Sequence, residues 1–238
     1  MKNLITAMLV CLTGLSFAQG FIAALEADDM AVISGKECTV KLVNGDEVTG
    51  KFLGGTLING YLSNFNIRLE NGEKAKFKPE EVARLSVKAS KLAKLAMMME
   101  SASSVKEMTN SNFDEIVNRE YIVFETAMRH NKAGKVRLMQ LLNPGFDSQI
   151  KVFADPNAKE TMGVGVGGVK LTGGADKSYL FVQNDEKAVL VKKGSYKKNF
   201  DELYGNCPAM LQVFAGEKVK WNDVAGHVFA YDQVCKEK

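Results

Sequence analysis

The side chains that could do chemistry in this chain are few and scattered. His130 and His227 are its two histidines, the side chains whose ordinary pKa suits acid–base work near neutrality. Each would need an orienting acid and a hydroxyl or thiol to act on. No G-x-S-x-G elbow or recognisable Cys/His arrangement accompanies either one. His130 sits beside Asn131-Lys132 in a turn-like stretch and His227 lies in a C-terminal segment with helical spacing, so both read as solvated or structural histidines and no catalytic residue is assigned. No cysteine pair has C-x-x-C spacing and the histidines are far apart, so no metal site is assigned either. Glu26, Asp28 and Asp29 could offer oxygens to a divalent cation, but three acids without further ligands read as a solvated cluster.

Gly163-Val164-Gly165-Val166-Gly167-Gly168 formally contains G-x-G-x-x-G, with Asp185 further on. A dinucleotide site needs a buried strand before those glycines and a helix after them, because the helix N-terminus receives the pyrophosphate. Asp155–Glu160 is a poor buried strand and Val169–Gly174 a poor helix, so the stretch reads as a flexible glycine-rich hairpin or surface loop and no cofactor is expected. Lys193, Tyr196 and Lys197 form a basic-aromatic patch that could meet an acidic polysaccharide or lipid headgroups, and Trp221 could stack on a sugar ring. The competing reading gives the lysines to a solvated turn and helix start, and Trp221 to packing against the last helix.

The background of these residues is ordinary. The 238 residues carry 31 Lys+Arg against 28 Asp+Glu, a formal charge of +3, and are 46% hydrophobic. This excludes a disordered chain and a multi-span membrane protein, and the near-neutral balance suggests no nucleic-acid partner. Residues 1–18 read as a signal peptide: Lys2, an apolar run from Leu4 to about Leu15, then Ser16-Phe17-Ala18 with small residues where a signal peptidase needs them. The apolar run is shorter than the ~20 residues of a bilayer span, and no later segment is long and apolar enough to cross. The expectation is an exported protein, periplasmic or extracellular.

Export alters the meaning of cysteine, because disulfides persist outside the reducing cytosol. Cys38, Cys207 and Cys235 follow the leader. Cys207 stands at the start of one probable helix and Cys235 near the end of the next. Two antiparallel helices would bring those ends together, so Cys207–Cys235 is the expected bridge, with three buried unpaired thiols as the alternative.

After an N-terminal extension at 19–36, residues 37–87 form the clearest unit. Glu37–Val43 alternates, Asn44-Gly45 supplies a hairpin turn, and Glu47–Leu53 returns with Gly50 at a bend. Phe65–Leu69 alternates next, Asn71-Gly72 gives a second turn, Ala75–Phe77 follows, Pro79–Glu81 reads as a helical turn, and Val82–Val87 ends the unit. Five short strands in this space predict a small, strongly curved barrel. The stretches Val40–Phe52 and Phe65–Leu69 resemble the first motif of Sm-like barrels, through Val40, Leu42, Gly45, Gly50 and the Asn66-to-Leu69 pattern. That family forms rings and many of its members bind RNA. Leu62 stands where the family carries an acid, and Ala83-Arg84-Leu85-Ser86 replaces its Arg-Gly, so the resemblance implies the shape and not the activity.

Residues 88–118 read as a helical connector, with Leu92, Leu95, Ala96 and Met99 on one stripe. Residues 119–238 read as an antiparallel sheet, since the connections are too short for helical crossovers, followed by helices over Tyr196–Tyr204, Pro208–Ala215 and a third starting at Asn222 or Asp223. The run Lys197-Lys198-Asn199-Phe200-Asp201-Glu202-Leu203-Tyr204 through Cys207-Pro208 resembles a recurrent domain of exported proteins in Gram-negative bacteria, which implies no activity or functional residue. The expected fold class is therefore α+β: a five-stranded Sm/SH3-like barrel, then a sheet domain with C-terminal helices. The expected role is non-catalytic binding or structure in the periplasm or envelope, with a hydrolase of envelope or nutrient polymers as the alternative. A second copy of the chain or an envelope protein is the expected partner.

Overall fold

Asn-Gly turns set the first strands. Asn44 accepts the backbone N–H of Asp46 at 3.0 Å, and Asn71 accepts that of Glu73 at 3.0 Å, so the same side-chain clasp closes two hairpins. They join β1 (Glu37–Leu42) to β2 (Glu47–Ile58), and β3 (Tyr61–Leu69) to β4 (Lys74–Phe77). A 3-10 turn at Pro79–Glu81 leads into β5 (Val82–Lys88). The computed structural model describes residues 30–89, 120–128, 136–158, 164–166, 169–172, 178–184 and 187–235. The expected signal peptide at 1–18, the acidic cluster Glu26/Asp28/Asp29, the expected stripe Leu92–Met99 and His130 lie outside the described residues.

β2 is twice the length of β1, and its pairing with β3 shifts register at Phe52/Gly54 and again at Thr56/Leu57. Such bulges bend a strand and increase its twist, which lets β2 pair with β1 at one end and β3 along the rest. Gly50 is needed at the bend: a Cβ there would lie 2.3 Å from the Arg68 carbonyl oxygen.

The closure differs from the expected five-stranded one. β6 (Tyr121–Met128) pairs with β5, β7 (Val136–Leu141) pairs with β6, and Leu62 of β3 meets Leu138 of β7. The antiparallel barrel thus runs β7-β6-β5-β1-β2-β3 and closes on six strands, with β4 outside the ring. Two of the six come from beyond the 88–118 stretch, so the division drawn at residue 119 is not a division of the sheet. The hydrogen-bonding edge left open on β5 recruits them, and a partner that distant leaves no trace in local periodicity. Phe52, Phe65, Ile67, Leu85, Phe124 and Leu138 fill the interior, each buried, contributing about 1.5–3 kcal/mol apiece for side chains of this size.

The sheet then leaves the barrel. β8 (Ile150–Ala154) joins β7, β11 (Ser178–Gln183) joins β8, and β12 (Val189–Lys192) forms the edge. β9 (Val164–Val166) and β10 (Val169–Thr172) make a separate two-stranded pair. Three helices, α1 (Phe200–Tyr204), α2 (Pro208–Val213) and α3 (Val224–Val234), share an aromatic-rich core with the inner residues of β8 and β11. The first helix is shorter than its spacing predicts, because turns occupy 193–199 and Gly205 donates to Asp201 at 2.7 Å to end it. α3 is buried continuously from Val224 to Asp232, not on one stripe. Cys207 at the start of α2 is bonded to Cys235 just past α3, as the antiparallel arrangement requires.

Candidate functional site

His227 is the first place to look for chemistry, and α3 holds it inside the helical core. Its Nδ1 is 2.8 Å from the Tyr196 hydroxyl, which is itself 3.1 Å from the Tyr204 hydroxyl. The imidazole lies edge-on to Phe214 at 4.6 Å and to Phe200 at 5.1 Å, and is 2% exposed. Burial pushes its pKa down to about 4, so the ring is neutral at pH 7. Burial raises Tyr196 well above its ordinary value, and Tyr204 is raised by the same cause. With Nδ1 as acceptor, Tyr196 donates to it and Tyr204 donates to Tyr196. The arrangement satisfies three buried polar groups; it does not prepare a proton for transfer.

The same core absorbs half of the expected ligand patch. Tyr196 is 1% exposed and Trp221 5% exposed; their rings meet edge-to-face at 5.3 Å, and Trp221 stacks on Tyr179 at 5.3 Å. Lys193 and Lys197 remain exposed on the surrounding turns. The four residues therefore make no surface constellation: the area gained by burying two large rings outweighs any use as a stacking platform. The glycine-rich stretch also departs from a dinucleotide site, since an antiparallel strand, β10, stands where a helix would have to receive the phosphates.

Acids do come together at the junction of barrel and sheet. Arg84 of β5 contacts Glu125 of β6 at 2.9 Å and Asp147 at 3.8 Å, and Lys151 of β8 reaches Glu125 at 3.1 Å. Burial raises the Asp147 carboxyl, opposed by the Arg84 charge. Two carboxylates sharing an arginine form an ion-pair clasp across three strands and a loop. Both Glu125 oxygens are engaged, Oε1 by Arg84 and Oε2 by Lys151.

A cavity of about 370 Å³ opens elsewhere, where the β2–β3 turn, the Pro79 turn, β7 and the segment after β8 converge. The turn is Asn59-Gly60, with φ of +51° and +73°, the pair of positive values that a two-residue hairpin prefers. A Cβ on Gly60 would lie 2.1 Å from that of Pro156, so the missing side chain lets the barrel seat against the segment after β8. Ile58, Leu62 and Pro79 give the cavity an apolar side, and Arg137, Lys78 and Glu80 supply its charges. A second, shallower depression of about 510 Å³ lies over β1, β2 and β3, where Lys51 and Arg68 are accompanied by Glu37 and Glu70.

None of these cavity residues stands out in the sequence as a site, yet one signal was there. Asn59-Gly60, between Ile58 and Tyr61, is a third Asn-Gly pair beside those at 44–45 and 71–72. Compared with protein-family models, curated proteins and solved structures, the chain matches none.

Proposed function

We propose that this is an exported, non-catalytic binding or structural protein of the periplasm or cell envelope. The observation that carries the reading is the placement of His227, whose ring is enclosed by Phe200, Phe214 and two tyrosines and whose nitrogen is committed to Tyr196. The leader-like residues 1–18 and the Cys207–Cys235 bridge support export. The order β5-β1-β2-β3-β4 and the 3-10 turn between β4 and β5 support reading 37–87 as a small Sm/SH3-like unit whose closure β6 and β7 take over. The hydrolase alternative needs two free acids in a cleft, and the Glu125–Arg84–Asp147 clasp disfavours it.

Two measurements test this proposal. Fractionation of the producing cell, with mass spectrometry of the N-terminus, should find a chain outside the cytoplasm starting at Gln19; a cytoplasmic chain starting at Met1 refutes export. A broad hydrolase panel with the purified protein should be blank, whereas turnover lost on His130→Ala or His227→Ala refutes the non-catalytic reading. Assembly through open strand edges belongs to the same proposal, since β4 and β12 each end the strand order. Light scattering that gives a monomer at high concentration removes it.

A further inference from the structure

We propose that the cavity beneath the Asn59-Gly60 turn binds a small organic oxyanion: a carboxylate or phosphate group on a short apolar body. The proposal rests on reading the protein as a binder and assigns that reading a place and a ligand class.

The charge pattern leads to the anion. Arg137 is half-buried, and its described hydrogen bond is a long one, 3.4 Å, to the carbonyl of its neighbour Val136. Among the described residues, the ion pairs belong to Arg84, Lys88 and Lys151, and no carboxylate oxygen lies within 4.0 Å of the Arg137 guanidinium or the Lys78 Nζ; the Glu81 carboxylate accepts the Lys78 backbone N–H at 2.8 Å. A guanidinium at this depth has lost part of its hydration without an acid to compensate. Its planar fork matches the two oxygens of a carboxylate or phosphate, and Lys78 adds a second cation to the same cavity. Glu80 is the one acid among the lining residues, so two cations face one carboxylate and the site retains an excess of positive charge.

The neutral lining sets the rest of the ligand. The amides of Asn59 and Asn157 add hydrogen-bond donors at the polar side, and Ile58, Leu62 and Pro79 offer a surface for a few methylenes or a small ring. About 370 Å³ suits a small molecule and not a polymer segment. The walls are preformed, because Leu62 pairs with Leu138 where the barrel closes and Gly60 is pressed against Pro156. Binding therefore requires little ordering of the chain. The depression over β1–β3 lacks this pattern, since its cations are accompanied by Glu37 and Glu70.

The test uses the whole protein, amide chemical shifts, and two probes, sodium hexanoate and hexyl phosphate, each against sodium chloride at equal ionic strength. Saturable shifts at Asn59, Ser63, Lys78 and Arg137 with either probe support the site, and the stronger probe identifies the headgroup. Arg137→Gln should weaken binding about tenfold and Lys78→Gln severalfold, while Lys193→Gln leaves it unchanged. Lys78 is exposed, so that variant keeps the test valid should Arg137→Gln lower the melting temperature. Shifts that follow chloride, that do not saturate with either probe, or that saturate with unchanged affinity in Arg137→Gln overturn the site. A blank titration with a blank hydrolase panel removes this site alone, and turnover in the panel removes the binder reading whatever the titration gives.

Discussion

The Tyr196 hydroxyl and His227 Nδ1 meet at 2.8 Å inside the helical core, which makes an ionisable ring part of the packing. The folded-state pKa of about 4 lies below the ordinary 6.5. Between those values the unfolded chain binds more protons than the folded one, so stability falls as pH drops through this window and is fully present above it. The expected loss from pH 7 to pH 4 is about 3 kcal/mol from this group, on top of any carboxylate contribution. Urea midpoints at the two pH values should differ by less in His227→Gln than in the parent; an equal difference would show that His227 is not responsible.

Asn143 is 0% exposed and organises the turn between β7 and β8 through three bonds. Its Nδ2 donates to the carbonyls of Phe146 and Ile150 at 2.8 and 2.7 Å, and its Oδ1 accepts the Val152 N–H at 2.8 Å. Asn143→Ala removes three buried hydrogen bonds to the backbone at once, at a cost of about 2–4 kcal/mol in denaturant unfolding.

The Cys207–Cys235 bridge spans 28 residues. The chain-entropy model gives about 3–4 kcal/mol for a loop of that size, so the Cys207→Ser/Cys235→Ser double variant should melt well below the parent. Cys38 behaves oppositely: burial pushes its thiol up to about 11. Alkylation at pH 8 should spare it in the folded protein and modify it once urea unfolds the chain.

Glu125 has a side chain only 10% exposed, while Arg84 and Lys151 are each about one-third exposed. Removing the acid by Glu125→Gln takes one carboxylate from two cations that water can still reach, and Asp147 stays beside Arg84. The expected cost is therefore about 1–2 kcal/mol, less than for a fully buried pair. A double-mutant cycle with Arg84→Gln should return a coupling energy; additivity within about 0.3 kcal/mol would show that the clasp is ornamental.

Local features of the fold were legible in the residues. The alternation of Glu37–Leu42, the turns at Asn44 and Asn71, and the bridge between Cys207 and Cys235 all follow from short-range rules or from one geometric step beyond them. What escaped was long-range partnership. Leu62 and Leu138 have no pattern that announces their pairing, and the sixth strand depends on it. The burial of Tyr196 escaped for another reason, whereas packing was one of the two readings of Trp221: an aromatic beside lysines looks the same from sequence whether its ring faces water or the core. The cavity combined both difficulties, since Arg137 reaches it only after β7 has closed the barrel.

The β3–β7 closure also sets how far the chain can be shortened. Strands β1 to β5 cannot seal the ring by themselves, because β5 and the Leu62 end of β3 take their neighbours from β6 and β7. A fragment cut before about residue 141 would carry unpaired backbone groups along those edges and an apolar interior open to water.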